Sequence, residues 1–385
     1  MKIISRYIIK EVSYVTLMGF FIFTFFLIMN SLFVMSDLVV KYGVDILTVA
    51  KLLVLLLPST VAVTLPMAFL VGILLTYSRL VQDNEYHGMQ ACGISIAKVT
   101  IPSILLALIV TAGLVLFNNY VLPAANLEYK KVYYEIVKKR SGILIQEHTF
   151  IKQFDDYVFY IGEKDNKNEL LKNILIFIKD KENSDEPVKV ITSKEGEFIS
   201  DEKSFRIALK LKNGVLQTGS FTEPERLNSI FFAVNYVDLD IQGAMRKKNV
   251  ADDLKGSREM TAQELYTEMK KGPQSRHDKN WVILELHKKF SLPFAVIAFA
   301  IIGIPLGLLT KKGGKITAIS FSLVLIFLYY ILLSVGQSYG YSGKWNHFTA
   351  AWLPNLAMIA ISLVLFIAIF MPYIAVKIQS KRVQK

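Results

Sequence analysis

The sequence predicts a membrane α-helical protein with six transmembrane helices, three on either side of an inserted all-β domain of the jelly-roll type. Two observations predict this fold class. Six long stretches contain no Asp, Glu, Lys or Arg, although 20% of the 385 residues are charged. Between the third and fourth stretches lies a polar block, residues 123–289, in which apolar and polar residues alternate in the period of β-strands.

Each charge-free stretch is long enough to supply the ~20 apolar residues with which a helix crosses a bilayer core. These stretches cover residues 12–36, 52–78, 99–127, 290–310, 316–343 and 345–376. Only helices and closed barrels pair all of their backbone groups in lipid, and a barrel would show alternating segments of ~10 residues instead. The first stretch is too long for a cleaved signal, so we expect six retained helical spans.

The formal net charge of +12 comes largely from basic residues at the ends of the predicted spans, so no nucleic-acid partner is expected. They are Lys2, Arg6, Lys10, Lys311, Lys312, Lys315, Lys377, Lys381, Arg382 and Lys385. By the positive-inside rule these ends face the cytoplasm, and six crossings bring the C-terminus back to the side of the N-terminus. We therefore predict that both termini are cytoplasmic and that the polar block lies outside.

The polar block is typical of an antiparallel sandwich or jelly roll, because many short strands follow one another at close spacing. Turn signals occur at residues 165–168 and at Lys212-Asn-Gly214. The predicted strands are 157–161, 174–178, 188–191, 205–211 and 230–241. This divides the chain into a first helical half (1–122), the β domain with its flanking segments (123–289) and a second helical half (290–385).

The segments that flank the strands carry helix signals of their own. Residues 126–140 look amphipathic and continue from the third span, and residues 281–289 run into the fourth. Thr261 and Glu264 form a capping box that opens a helix to about Lys271. Residues 243–257 are charged and poor in apolar side chains, which predicts a linker.

A polar island between the second and third spans, residues 78–95, predicts a short helix over about 83–92 rather than a plain turn. Asp83 can cap its N-terminus, Glu85 suits its first turn and Gly93 suits the position after its end. A helix this short is marginal alone in water, so it needs a surface to pack against. Counting spans places it on the cytoplasmic side, where its expected use is to dock a soluble partner.

Two interpretations of Glu85 stay open at this point. Glu85 could simply be a charge at a helix N-terminus, worth roughly 0.3–1 kcal/mol. Alternatively, it is an acidic contact to a partner, with Tyr86 and Met89 as its apolar neighbours. Lys41, just beyond the first span, has a similar pair of interpretations: a side chain that extends to the headgroups, or a cation that binds an anionic lipid headgroup.

Motifs for chemistry are missing from the sequence. Gly313-Gly-Lys-Ile-Thr317 lacks the residues of a phosphate-binding loop, no nucleophile elbow occurs, and the five His are scattered. The single Cys92 has no intrachain disulfide partner. The charge-free stretches hold no ionisable carboxylate or amine for a proton relay. We therefore expect no metal, no cofactor and no enzyme activity, and an energy source in another subunit.

These features together resemble the LptF/LptG permease family, the membrane subunits of the lipopolysaccharide export transporter, over essentially the whole chain. The motifs occur in the family's order, and three spans stand on either side of the β domain. The motifs are Arg6-Tyr-Ile-Ile-Lys-Glu11, Leu65-Pro-Met-Ala68, Asp83-Asn-Glu-Tyr-His-Gly-Met-Gln-Ala-Cys-Gly-Ile-Ser95, Ser291-Leu-Pro-Phe294, Gly303-Ile-Pro-Leu-Gly307 and Trp352-Leu-Pro-Asn355. The start of the chain, residues 37–43 and residues 303–307 favour the F-type subunit, although both types stay open.

The resemblance implies a bacterial inner-membrane heterodimer of two such permeases, a cytoplasmic dimeric ATPase of the LptB type and a periplasmic bridge of the LptC/LptA type. It implies that lipopolysaccharide is extracted from the membrane on ATP-driven closure and passes through a periplasmic jelly roll. The short helix would then be the coupling helix in a groove of the ATPase.

In this interpretation the ATPase-coupling residues are Asp83, Glu85, Tyr86, Met89 and Gly93, with Glu85 at the position of the family's acidic residue. Lys41 takes the position of basic residues that contact the phosphorylated sugars. The chain departs from the family there, since Val40 stands where relatives often carry another Lys. A rival interpretation is a scaffold that transmits ATPase motion to periplasmic partners without moving lipid.

Overall fold

A computed structural model describes residues 2–40, 43–139, 150–154, 157–165, 170–178, 188–201, 206–219, 227–239, 255–271, 278–310 and 314–383. Long helices account for most of them. The helices are α1 (Lys2–Val40), α2 (Ile46–Gln82), α3 (Glu85–Ala91), α4 (Ile96–Leu116), α5 (Leu122–Lys139), α6 (Ala262–Lys270), α7 (Lys279–Leu309), α8 (Gly314–Tyr341) and α9 (His347–Val383). A π-helical segment, Phe117–Val121, joins α4 to α5.

Six of these helices are long and apolar enough to cross a membrane, which confirms the predicted number of spans. They are α1, α2, the continuous α4–α5 path, α7, α8 and α9. Most helices extend beyond the charge-free stretches, because polar residues at helix ends can reach water or the headgroup layer. α7, for example, begins at Lys279, ahead of the charge-free stretch that starts at Phe290.

Prolines interrupt the hydrogen bonds of the spanning helices, and neighbouring helices replace what is lost. Pro305 has no N–H for the carbonyl of Ile301, one turn earlier in α7. The hydroxyl of Ser362 in α9 donates to that oxygen at 2.6 Å. A freed carbonyl in lipid would otherwise remain unpaired, so this bond both satisfies the carbonyl of Ile301 and joins α7 to α9.

The spanning helices pack through two apolar clusters that share α2 and α7. Ile8 and Val12 of α1 belong to the first cluster, together with residues of α2, α3, α4 and α7. The second cluster joins α2 and α7 to α8 and α9. Close approach is visible at Gly72 of α2, where an added Cβ would lie 2.1 Å from Thr16 Oγ1 of α1.

The inserted domain is an antiparallel sheet of six strands paired in chain order, β1 to β6, which confirms the predicted all-β insertion. The five predicted strands are all present, and a sixth, β1, was missed. The strands are β1 (Phe150–Phe154), β2 (Tyr157–Asp165), β3 (Leu170–Ile178), β4 (Val188–Asp201), β5 (Arg206–Gly219) and β6 (Leu227–Leu239). Alternate residues of the inner strands, such as Ile174, Ile176 and Leu209, form the domain's core.

The predicted turn at Lys212-Asn-Gly214 is wrong, because β5 continues through it to Gly219. Asn213 adopts a left-handed φ of 53°, and its neighbours Lys212 and Gly214 pair across β4 while Asn213 is skipped. Asn173 in β3 has the same conformation (φ 54°) and is skipped in the same way. Asn tolerates this region of φ/ψ space, so residues typical of turns here serve irregular positions within long strands.

The chain divides into two compact units. One holds residues 1–34, 51–129 and 255–385, and the other holds residues 35–50 and 130–254. The predicted capping box of α6 is confirmed, since Glu264 N–H donates to Thr261 Oγ1 at 3.3 Å and Thr261 N–H to Glu264 at 2.9 Å. α6 belongs to the helical unit, packing Leu265 against Val282 of α7. Of the predicted linker 243–257, residues 243–254 lie outside the described residues.

Candidate functional site

The island between α2 and α4 forms the predicted short helix, α3, and its end follows the expected chemistry. Gly93 has a φ of 78°, a conformation that favours glycine. Its N–H donates to the carbonyl of Gln90 at 2.9 Å, and the N–H of Ile94 donates to that of Met89 at 3.0 Å. This pair of bonds is a Schellman motif, which satisfies the last carbonyls of the helix.

The start of α3 differs from the prediction for Asp83. Asn84, not Asp83, is the N-cap residue, in a left-handed conformation with φ 57° and no side-chain capping bond. The Asp83 carboxylate instead lies 4.0 Å from Arg79 Nε, one turn back on α2. Asp83 therefore does not cap the helix. Asp83 is displaced from this role because Asn84, in its left-handed conformation, occupies the N-cap position.

Tyr86 is buried and Met89 is half-buried, and both pack against the helix bundle. Tyr86 is 7% exposed and, with Met89, packs on the cluster that contains Ile8 and Val99. Burial raises the pKa of Tyr86, against a lowering effect of the hydrogen bond from Gln90. These two residues anchor α3 to the helices beneath it, which supplies the support that a seven-residue helix needs.

Glu85 is partly buried and is hydrogen-bonded within the chain. The hydroxyl of Tyr7, in the second turn of α1, lies 2.8 Å from Oε2 and 3.1 Å from Oε1 of Glu85. The same hydroxyl accepts a hydrogen bond from Arg79 Nη2 at 2.5 Å. Arg79 Nη1 lies 2.9 Å from the carboxylate of Glu11, one turn beyond Tyr7 on α1. We call Tyr7, Glu11, Arg79 and Glu85 the island network.

The island network ties three helices together at one end of the bundle. Tyr7 and Glu11 lie one turn apart on α1, Arg79 lies in the last turn of α2 and Glu85 opens α3. Hydrogen bonds to charged groups contribute about 1.5–3 kcal/mol each when they are shielded from water. Arg79 and Glu11 side chains are about a quarter exposed, so we expect the lower end of that range.

Sequence reasoning missed Tyr7, Glu11 and Arg79 as members of this site. One signal was present: Tyr7 and Glu11 have the i,i+4 spacing that puts two side chains on one helix face. No sequence pattern states which distant residue such a face meets. That Arg79 lies beside it depends on the packing of α1 against α2.

The outward face of α3 is small, polar and open. It is formed by residues that the structure leaves exposed: Asp83, His87, Gly88, Gln90, Ala91 and Cys92. An added Cβ at Gly88 or Gly93 would meet no atom within 4 Å in the described part of the chain. Another molecule could therefore approach the backbone of α3 closely on this side.

Lys41, the predicted headgroup contact, lies outside the described residues. Close to it in sequence, an open cavity of about 290 Å³ lies between the start of α2 and the end of α5. Both of its carboxylates, Asp45 and Glu135, are exposed. The cavity lining consists of Gly43, Val44, Asp45, Thr48, Val132, Glu135 and Ile136.

A second cluster of charged residues, which the sequence interpretation did not find, lies in the early turns of α7. Glu285 and Lys288 are 6% and 8% exposed, and Lys288 Nζ donates to Glu285 Oε1 at 2.8 Å. The hydroxyl of Tyr341, at the end of α8, donates to the same oxygen at 2.6 Å. Arg258, in the short 3₁₀ turn Ser257–Glu259, places its Nε 3.6 Å from it.

This cluster holds the segment before α6 against the helices of the same unit. The expectation that the fourth span carries no ionisable groups applied to residues 290–310, whereas the helix itself starts earlier and buries several. Lys289 adds a further bond, from its Nζ to the carbonyl of Asn118 in the π-helical segment at 3.0 Å. Buried charges persist only where partners of opposite charge or polar groups surround them, and these partners come from several elements.

Metal-binding geometry is not visible in the part of the chain that the structure describes. No group of three or more His, Cys, Asp or Glu there could hold an ion. The candidate functional site is the short helix α3 together with the island network that holds it.

Six spanning helices, an inserted antiparallel domain and a short helix held at one end of the bundle define a multi-span membrane protein with an inserted β domain. Comparison with known families agrees: the model for "Lipopolysaccharide export system permease LptF/LptG" matches residues 6–368. The chain belongs to this LptF/LptG family of membrane-spanning permeases.

The known relatives are distant in sequence, and those that carry a family name match over nearly the whole chain. The chain is 21% identical over 363 residues to the lipopolysaccharide export system permease protein LptF of Escherichia coli K12, with 94% of each chain covered. The protein of the same name from Shigella flexneri gives the same figures. An uncharacterized protein of Rickettsia prowazekii is 24% identical over 145 residues, which is 38% of this chain and 39% of the relative.

Proposed function

We propose that this chain is a non-catalytic membrane subunit of an ATP-driven exporter that extracts lipopolysaccharide from the inner membrane. The observation that carries the proposal is α3, a short helix anchored by Tyr86 and Met89 with an open polar face. A chain without a nucleotide-binding motif needs such a surface to receive work from another subunit. The names of the family and of its relatives support lipopolysaccharide as the substrate.

The partners in this proposal are a cytoplasmic ATPase dimer of the LptB type, a second LptF/LptG permease and a periplasmic bridge of the LptC/LptA type. The ATPase docks on α3, the second permease completes the lipid cavity and the bridge continues the route from the β domain. Family membership supports each of them. Residues 1–122 and 290–385 form the two membrane halves, and residues 123–289 lie in the periplasm.

The geometry supports a role for each residue of the proposed docking element. Asp83 and His87 are both exposed to a partner, while Tyr86 and Met89 pack α3 against the bundle and Gly93 ends it. Glu85 lies at the edge of the face, where it bonds to Tyr7. Lys41 binds the phosphorylated headgroup of the lipid on the other side of the membrane.

Copurification and lipid release test the proposal together. The chain is purified from membranes with its ATPase and second permease and reconstituted in vesicles that contain lipopolysaccharide. We expect an ATPase to travel with the chain and ATP to drive release of lipopolysaccharide to a soluble periplasmic acceptor.

A control variant, Gln263→Ala, changes an exposed residue of α6, outside the island, and should leave both results intact. Absence of any bound ATPase would overturn the exporter proposal. ATP hydrolysis with bound partners but no release of lipid would favour the scaffold interpretation instead.

A further inference from the structure

The carboxylate of Glu85 is already hydrogen-bonded within its own chain, which is relevant to how a movement of α3 reaches the membrane helices. Both of its carboxylate oxygens lie within hydrogen-bonding distance of the Tyr7 hydroxyl. A carboxylate that served only as a contact for a partner would not need a hydrogen-bond donor placed for it on α1. The position of Tyr7 is itself determined, because Arg79 donates to its hydroxyl from the other side.

We propose that Glu85 acts as a positioning residue inside the permease. Through Tyr7 and Arg79 it ties α3 to the first turns of α1, so that a displacement of α3 is passed to the first span. This inference rests on the proposed docking role of α3. It assigns the Tyr7–Arg79 pair a function that neither residue has in the docking surface itself.

The hydroxyl of Tyr7 is suited to this role because it uses its donor and its acceptor at once. Its proton goes to Glu85, and its oxygen receives the N–H of Arg79. Bonds in such a chain polarise one another, and both ends carry a charge. Phenylalanine in place of Tyr7 would remove both bonds without changing the volume of the ring.

The contacts beneath the network make the connection stiff. Ile8 and Val12, next to Tyr7 and Glu11 on α1, are fully buried in the cluster that also contains Tyr86. Glu11 holds the far side of the Arg79 guanidinium at 2.9 Å. α3 is thus bonded above and packed below against one stretch of α1, and it can shift only by breaking these contacts or by carrying α1 along.

Arg79 also retains one unmade bond. Its Nε is buried without a hydrogen bond to any residue that the structure describes, 4.0 Å from Asp83. A small displacement of the α2–α3 connection would bring the Asp83 carboxylate into bonding distance. The island network therefore has a second arrangement nearby, in which Asp83 bonds to Arg79 Nε. An element that passes on a movement needs two such discrete arrangements.

A double-mutant cycle separates this role from a direct contact between Glu85 and the ATPase. Tyr7→Phe, Glu85→Ala and the double variant are compared in the reconstituted complex, with Tyr14→Phe as the matched control. Tyr14 is 66% exposed on the same helix, away from the network. The quantities measured are lipopolysaccharide released per ATP hydrolysed and hydrogen exchange at the amides of Gly88 and Cys92, which bond within α3.

We expect each single variant to reduce release per ATP and to speed α3 exchange by on the order of tenfold, the size of one lost charge-assisted bond. The double variant should be no worse than the more severe single one, because both changes break the same bond. Tyr14→Phe should behave as the unchanged chain does. The amount of lipopolysaccharide released per ATP hydrolysed is informative for the following reason. A variant that only loses part of the complex would lower both total release and total hydrolysis and leave their ratio unchanged.

Additive effects of the two changes would overturn the proposal, as would Tyr7→Phe behaving as the unchanged chain does. In either case Glu85 acts by contacting the partner directly. Failure of the proposed function looks different. In that case the unchanged chain retains no ATPase, while the exchange experiment on the full chain in vesicles still reports whether Tyr7 and Glu85 hold α3.

Discussion

Glu285 shows how a single buried carboxylate depends on partners that lie far apart in sequence. Lys288 follows it by one helical turn, but Tyr341 comes from the end of α8 and Arg258 from the segment before α6. Each partner offsets part of the desolvation cost of the carboxylate. Removing the acid alone would leave Lys288 buried beside Tyr341 without its counter-charge.

We predict that Glu285→Leu destabilises the full-length protein by about 3–5 kcal/mol, because it leaves a buried, uncompensated ammonium group. The double variant Glu285→Leu/Lys288→Met should recover much of this loss, since both charges are then gone. Thermal unfolding of the purified protein in detergent measures the effect. Glu163→Leu, at an exposed position of β2, is the control. A double variant as unstable as the single one would contradict the ion-pair explanation.

At the scale of elements, local sequence signals decide where helices and strands begin and end. Contacts with neighbouring elements decide whether a helix or strand is stable. α3 has a sound C-terminal signal in Gly93, yet its N-terminus lacks a side-chain cap. It is held by Tyr86 below and by Tyr7 at its side. In the sheet, the pair β4–β5 shows a similar dependence, since Glu197 of β4 lies between Lys210 and Lys212 of β5.

The stability of β4–β5 should depend on pH through Glu197. Hydrogen bonds from Lys210 and Lys212 lower the pKa of Glu197 below its ordinary value. The unfolded chain therefore takes up a proton first on acidification, so this contribution is complete above pH about 4.3 and is lost as pH falls through the folded pKa.

Thermal unfolding of the full-length protein at pH 7 and at successively lower pH measures this dependence. Wild type should exceed Glu197→Gln in stability at neutral pH by a small amount, because the pair is partly exposed. The difference should shrink on acidification. A difference that grows as the pH falls would show that the sign is wrong.

At the scale of the whole molecule, the proposed topology puts α3 and both termini on the cytoplasmic side. The only cysteine of the chain, Cys92, directly follows α3 and is exposed. It is therefore a natural reporter of the side of the membrane on which the docking element lies. Asn228, exposed on β6, offers a matched position in the inserted domain.

We predict that a membrane-impermeant maleimide labels Cys92 only after the inner membrane is opened. In a Cys92→Ser background, Asn228→Cys should react in intact spheroplasts. Mass shift of the purified chain measures both reactions. Labelling of Cys92 in intact spheroplasts would invert the topology and place α3 away from any cytoplasmic ATPase.

Much of the architecture could be predicted from the sequence because it depends on local periodicity. Long runs without charge identified six spans, and alternation identified five of the six strands in the inserted sheet. The first strand was missed because residues 150–154 carry little alternation. Asn213-Gly214 predicts a turn because left-handed residues are most common in turns. In the structure the left-handed Asn213 lies inside the long strand β5 instead.

The sequence by itself determined the class of protein, the family and the place of the short helix between α2 and α4, since each depends on residues close together in the chain. Only the tertiary structure decided that Glu85 bonds to Tyr7, 78 positions away, and that Tyr86 faces inward. It also decided that the start of α7 buries Glu285 against Tyr341. The physical reason is the same in each case. The surroundings of a buried or partly buried side chain depend on the residues that packing brings near it, and the spacing of residues in the sequence does not show which residues these are.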